Sequence, residues 1–182
     1  NIYFNSNSDT EVLLEYIVQF GLEKTLANIR GMFAFALFDF KNKRLSLVRD
    51  RSGEKPLYYL LKEGQVVFGS ELKPLMQTTG FNKSLNKQAL IQFLSHGFIS
   101  SGHSIFKDVV KQVPGTAVHF ELRVKGWTIV EDSTYWSCLP KEESRLIESS
   151  EHSIDALDEL LSSAVKEQLV ADVPIGAFLS GG

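Results

Sequence analysis

Cysteine is almost missing: Cys138 is the single copy among 182 residues. No disulfide can form within the chain, and a reducing, cytoplasmic setting is favoured. Long apolar runs are missing too. No stretch reaches the roughly 20 residues that a membrane-crossing helix needs, and no signal peptide opens the chain. Charge of one sign is not in excess, with a formal net charge of -3. No basic stripe is present to follow a phosphate backbone, so a nucleic-acid partner is not expected. There is no internal repeat and no low-complexity tract. What is abundant is apolar material, 43% of the residues with 13 Phe, enough for a sizeable core of a globular protein. The lone Cys138 lies in Tyr135-Trp136-Ser137-Cys138-Leu139-Pro140 with no partner base beside it, which favours a structural or incidental thiol over a nucleophile. Asn82-Lys83-Ser84 matches a glycosylation acceptor only by chance in a chain with no sign of secretion.

Both ends read as cut. Ile2 to Phe4 is a strand already under way, and Leu179-Ser180-Gly181-Gly182 breaks off inside a motif. The chain is therefore expected to be an internal stretch of a longer protein.

Periodicity divides it into elements. After a polar turn at Asn5 to Ser8, Asp9 or Thr10 is placed to cap a helix from Glu11 to Phe20, with Gly21 at its end. A second helix spans Leu22 to Ile29. Met32 to Phe38 is almost wholly apolar, which predicts a strand covered on both faces. Arg44 to Arg49 returns beside it, and Leu57 to Leu61 with Gln65 to Gly69 form a hairpin about Glu63-Gly64. Helices are expected over Glu71 to Thr78 and Lys87 to Ser95, the latter capped by Asn86 or Ser84. A loop covers Gly97 to Lys107, and Val113-Pro114-Gly115 is a turn. Thr116 to Arg123 and Trp127 to Val130 form a last hairpin. The polar, Pro-containing stretch from Asp132 to Ser150 marks a domain boundary. A helix opens at Ser153-Ile154-Asp155, and Val173 to Leu179 reads as a buried strand.

Three segments carry chemistry. Ser8-Asp9-Thr10-Glu11 is a helix start with two carboxylates; it serves either as a cap favoured by the helix dipole or as a site where Asp9 grips an ammonium group through charge-assisted bonds. Arg49-Asp50-Arg51-Ser52-Gly53-Glu54-Lys55 packs charges around a glycine, and structure is the favoured reading, as a solvated turn or an ion-pair network. Asp172 to Gly182 is an apolar strand that ends in Ser-Gly-Gly, a geometry that brings backbone N–H groups close to an anion, although many ordinary turns share it.

These segments occur together, in one order, with further matches between them. Ser8-Asp9-Thr10-Glu11-Val12, Gly31 to Leu37, Arg49 to Tyr59, Phe68 to Leu75, Ser104 to Lys107 with Pro114-Gly115, and Asp172 to Gly182 resemble the motifs of the glutamine-hydrolysing asparagine synthetase family. Ser52 departs from the pattern, where the family usually carries an aromatic. The resemblance covers essentially the whole chain. It implies an α+β fold: an N-terminal-nucleophile glutaminase domain, an α/β/β/α sandwich incomplete at its N-terminus, over residues 1–132. A linker over 133–152 follows, then the start of a parallel α/β ATP pyrophosphatase domain over 153–182. It implies that Asp9 binds glutamine and that Leu179, Ser180, Gly181 and Gly182 belong to the ATP site. It places the catalytic cysteine upstream of Asn1, so no catalytic residue and no metal ligand is assigned here and the stretch by itself is expected to be inactive. Implied substrates are glutamine, aspartate and ATP with magnesium, and a homodimer is compatible with it. Relatives that amidate another carboxylate, such as a sugar acid, or that resemble a β-lactam synthetase without glutaminase activity, stay open, as does an isolated remnant acting as an interaction module.

Overall fold

A computed structural model describes residues 3–139 and 151–178. The chain divides into two compact units, Asn1–Ser137 and Cys138–Gly182.

The first unit opens with helices α1 (Asp9–Phe20) and α2 (Leu22–Asn28). The cap of α1 is Ser8, one residue earlier than expected: its hydroxyl accepts from Thr10 N, which makes Asp9 the first helical residue. Gly21 separates the two helices with φ 81°, and its N–H closes α1 on Ile17 O. The strand expected at Ile2 to Phe4 is not formed at Tyr3 and Phe4, where no neighbouring strand takes up the backbone groups; Ile2 lies outside the described residues.

Seven strands follow: β1 (Ala34–Asp39), β2 (Arg44–Arg49), β3 (Tyr58–Lys62), β4 (Gln65–Gly69), β5 (Val110–Lys111), β6 (Thr116–Arg123) and β7 (Gly126–Thr134). They make two antiparallel sheets, ordered β1-β2-β6-β7 and β4-β3-β5. The β3–β4 turn places Glu63 and Gly64 both at positive φ, the two-residue hairpin turn whose twist suits the flanking strands. Here a side chain is excluded for a second reason, since a Cβ on Gly64 would lie 2.5 Å from Lys125 O. The tips of the β3–β4 and β6–β7 hairpins thus meet backbone to backbone, joined by Trp127 N donating to Gly64 O at 2.7 Å. β7 is longer than expected because its pairing with β6 continues to Thr134 opposite Thr116, past a bulge at His119/Phe120.

Alternation along the strands builds the layers. Leu45, Leu47, Val118 and Phe120 of the first sheet point toward Leu57 and Tyr59 of the second, and these six form one core. Val48 and Ala117, on the opposite face, pack with Leu26 of α2. On the far side of the second sheet, Leu60 packs with Leu75 and Val109, Leu75 belonging to the short helix α3 (Leu72–Leu75). The order is helix, sheet, sheet, helix: a mixed α+β domain with antiparallel sheets. Helix α4 (Lys87–His96) is capped by Asn86, whose side chain accepts from Gln88 N and Ala89 N, and Gly97 ends it in the left-handed conformation.

Two expectations are corrected in this unit. β1 is packed on both faces only at its start, with Ala34 against one core and Phe35 against the other. Among the described residues it is the outer strand of its sheet, and Phe38, 38% exposed, and Met32 just before the strand, 49% exposed, are left uncovered. The helix expected over Glu71 to Thr78 shrinks to four residues: after Met76 N bonds Leu72 O, Gln77 N and Thr78 N bond only three residues back, to Pro74 O and Leu75 O, and the α-helical ladder stops.

The second unit holds helix α5 (Glu151–Gln168), two residues longer at its start than the expected opening at Ser153. Val173 to Phe178 is exposed and irregular, not the buried strand expected. A strand of a parallel sheet needs neighbours to take its hydrogen bonds, and the described residues of this unit contain none. The charged stretch at Lys141 to Arg145 and the segment Leu179 to Gly182 lie outside the described residues.

Candidate functional site

The start of α1 separates its two carboxylates by what they touch. Glu11 gathers the preceding turn: Oε1 accepts from Asn5 N at 2.8 Å and Asn5 Nδ2 at 3.4 Å, and Oε2 accepts from Ser6 N at 2.8 Å and Ser6 Oγ at 2.5 Å. Those bonds favour the charged form and hold its pKa below the usual value, the bond from Asn5 N contributing most. Asp9 accepts only the Thr10 hydroxyl, at 3.3 Å, and is exposed at the helix N-terminus. The cap is Ser8, Glu11 holds the preceding turn, and Asp9 stays exposed with the bond from Thr10.

In the Arg49–Lys55 segment Arg49 and Asp50 are buried and form a hydrogen-bonded knot, while Ser52, Glu54 and Lys55 stay exposed. Arg49, 4% exposed, donates to three backbone carbonyls: Nε to Lys55 O at 2.9 Å, Nη1 to Gln112 O at 2.5 Å and Nη2 to Gly53 O at 2.6 Å. Burial lowers its pKa and the Asp50 charge opposes that. The Asp50 carboxylate, 1% exposed, accepts Glu54 N and Lys55 N, each at 2.9 Å, and Phe33 N at 3.3 Å. Arg51 donates to Leu26 O and Ala27 O at the end of α2, where a cation suits the helix dipole. Gly53 takes φ +71°, and a Cβ there would stand 2.6 Å from Pro114 Cγ. Of the two structural readings, the solvated turn is excluded; the bonds run mainly from side chain to backbone and not between side-chain charges.

A groove of about 1150 Å³ lies between α1–α2 and the first sheet, with Leu14, Ile17, Val18 and Phe20 on its helical side. At its sheet side the buried Ser46 hydroxyl meets His119 Nδ1 at 2.7 Å, near the Arg44–Glu131 ion pair of 2.7 Å. Burial lowers the His119 pKa, Arg44 adds to the effect, and Glu131, Glu23 and Asp132 oppose it. Sequence reasoning missed this pair. Its members are 73 positions apart, and only the β2–β6 register, Ser46 opposite His119, brings them together. Asp9 does not line the groove. The structure therefore gathers neither Asp9 with the knot nor Asp9 with the His119 pair into one cavity. Leu179, Ser180, Gly181 and Gly182 lie outside the described residues. Cys138 is exposed. Among the described residues no cluster of His, Cys, Asp and Glu is arranged to hold a metal ion, and no helix is long and apolar enough to cross a membrane.

Two antiparallel sheets between helices are the fold that the comparisons place in a class. The family profile described as glutamine amidotransferase domain matches residues 1–136, and the profile described as asparagine synthase matches residues 156–182. Among relatives, the chain is 34% identical to a Methanocaldococcus jannaschii protein provisionally named glutamine-hydrolysing asparagine synthetase 2, over 100% of this chain and 34% of that protein. It is 32% identical to asparagine synthetase 3 of Bacillus subtilis, over 98% of this chain and 28% of the relative. It is 34% identical to asparagine synthetase 1 of the same organism, over 98% and 27%. Both Bacillus names carry the qualifier glutamine-hydrolysing. The chain belongs to the glutamine amidotransferase domain family. It spans only 27–34% of the length of these relatives.

Proposed function

We propose that this chain is the rear of an N-terminal-nucleophile glutaminase domain joined to the opening of an ATP pyrophosphatase domain. The boundaries of that reading are 1–132, a linker over 133–152, and 153–182. The whole enzyme would convert ATP, aspartate and glutamine into asparagine, glutamate, AMP and diphosphate, with ammonia from glutamine attacking an aspartyl-adenylate. The observation that carries the reading is the tandem match, glutamine amidotransferase over residues 1–136 and asparagine synthase over 156–182.

Within it, Asp9 receives the α-ammonium of glutamine. Its carboxylate is exposed and carries one bond from Thr10, so a ligand N–H meets an acceptor that no backbone donor has taken. Leu179, Ser180, Gly181 and Gly182 would line the ATP phosphates, with backbone N–H groups as donors. Magnesium would accompany ATP and offset phosphate charge; no described residue is assigned to it. The nucleophilic cysteine of this reading precedes Asn1, and Cys138 plays no part. The stretch alone would be inactive in both half-reactions, in the setting of a cytoplasmic enzyme, and a homodimer is compatible.

The test uses the full-length protein. Asp9→Asn removes the charge of one charge-assisted contact, and the KM for glutamine should rise about 10- to 100-fold. The rate of asparagine formation with ammonium chloride, measured on the same preparation, serves as the reference for the synthetase half. An unchanged glutamine KM, or no amide formed from aspartate with either nitrogen donor, would overturn the proposal.

A further inference from the structure

We propose that Glu11 is a positioning residue for glutamine binding, which holds the turn before α1 so that Asp9 is presented to the ligand; this rests on the proposed role of Asp9. The geometry departs from an ordinary capping box. In a box, the acidic residue three places after the cap bonds the cap residue's own N–H. Here Glu11 reaches past Ser8 to Asn5 and Ser6 and collects four donors, two on each carboxylate oxygen. The Ser8 N–H goes instead to Ser6 Oγ at 3.2 Å, and Ser8 Oγ accepts Thr10 N at 3.2 Å. A continuous relay therefore runs from Glu11 through Ser6 and Ser8 to Thr10. Asp9 is the residue between the last two links, and its carboxylate takes the Thr10 hydroxyl. The relay fixes where Asp9 projects without using its charge.

Only a carboxylate can do this. Every partner of the Glu11 oxygens in this geometry is a donor, so an amide at position 11 would point N–H groups at the donors of Asn5 or of Ser6. Glu11→Gln is nearly isosteric and breaks half of the clamp, while Glu11→Ala breaks all of it.

The experiment is a double-mutant cycle in the full-length protein, with every glutamine-dependent rate divided by the ammonia-dependent rate of the same preparation, which corrects for any misfolded fraction. Glu11→Gln should raise the glutamine KM about tenfold, with kcat changed by less than about threefold. In an Asp9→Asn background the same change should add almost nothing, because a residue that acts through Asp9 has nothing left to position. The inference is overturned if Glu11→Gln leaves KM unchanged while Asp9→Asn raises it, if kcat falls with KM unmoved, or if the two effects add. Should Asp9→Asn itself leave KM unchanged, the glutamine-binding reading falls first and this inference with it.

Discussion

The Arg49 knot allows a quantitative test of what holds the two sheets in place. Its guanidinium fork satisfies three carbonyls from two separate stretches, Gly53 and Lys55 in one loop and Gln112 after β5. An ammonium is a single centre on a flexible stem and cannot match three directions fixed by a planar fork. In Arg49→Lys, at least one and as many as two of these carbonyls lose their partner. Each lost bond to a charged donor is worth about 1.5–3 kcal/mol, which puts the variant at about 2–5 kcal/mol of destabilisation. Arg49→Met removes all three and leaves Asp50 buried without the opposing charge, so it should cost at least as much. Lys55→Ala is the control, since only the backbone of that residue enters the knot, and its effect should stay within about 0.5 kcal/mol. The proposed parent protein would have more than one domain, so a single global unfolding energy is ill defined. The assay is native-state hydrogen exchange at Glu54, Lys55 and Gly115 amides, all of which bond to Asp50. A loss of 3 kcal/mol speeds exchange about 150-fold. Arg49→Lys exchanging within threefold of the parent at these amides would refute the reasoning.

Three further outcomes are expected. Tyr135→Phe loses the bond from its hydroxyl to Arg49 O at 2.6 Å; burial pushes that hydroxyl's pKa to about 12, so it donates throughout the working pH range, and exchange at the neighbouring amides should report a loss of about 1–2 kcal/mol. Gly115→Ala places a Cβ against the Trp136 backbone carbonyl at φ +68°, and thermal unfolding of the glutaminase part should show a loss on the order of 2–4 kcal/mol. His119, held below its ordinary 6.5, binds fewer protons folded than unfolded, so stability is complete above pH 6.5 and falls as the pH drops from there toward the depressed value. Melting temperatures between pH 7.5 and 5.5 should fall less steeply in His119→Gln, and equal slopes would exclude a role for this imidazole.

Much of this architecture was legible residue by residue. Arg44 to Arg49 reads as a strand, Glu63-Gly64 is a hairpin turn by its chemistry, and Asn86 is one of the two caps the sequence offers for α4, with a loop from Gly97. What could not be read was whatever depends on partners distant in sequence. Met32 to Phe38 is packed on both faces only at its middle, Phe33 to Phe35, because apolar content does not reveal where the neighbouring layers end. Val173 to Phe178 looked like a strand because its composition suits one, yet strand structure exists only in pairing. The Ser46–His119 contact needs the β2–β6 register. The charges of Arg49 to Lys55 suggested ion pairs, while burial turned them toward backbone carbonyls and amides. The helix start was legible in kind but placed two residues late, at Glu11 instead of Asp9, with the cap at Asp9 or Thr10 instead of Ser8, because Ser, Asp and Thr all make good caps.

The exit of the first unit has a mechanical consequence. Tyr135 and Trp136 both donate their N–H groups to Gly115 O, and the Tyr135 ring anchors on Arg49 O. A pull applied beyond Ser137 would load this latch before it could unzip β7 from β6. The rest of a longer chain would hang from a rooted point, and traction on it would pass first to Gly115 and to Arg49 at the end of β2.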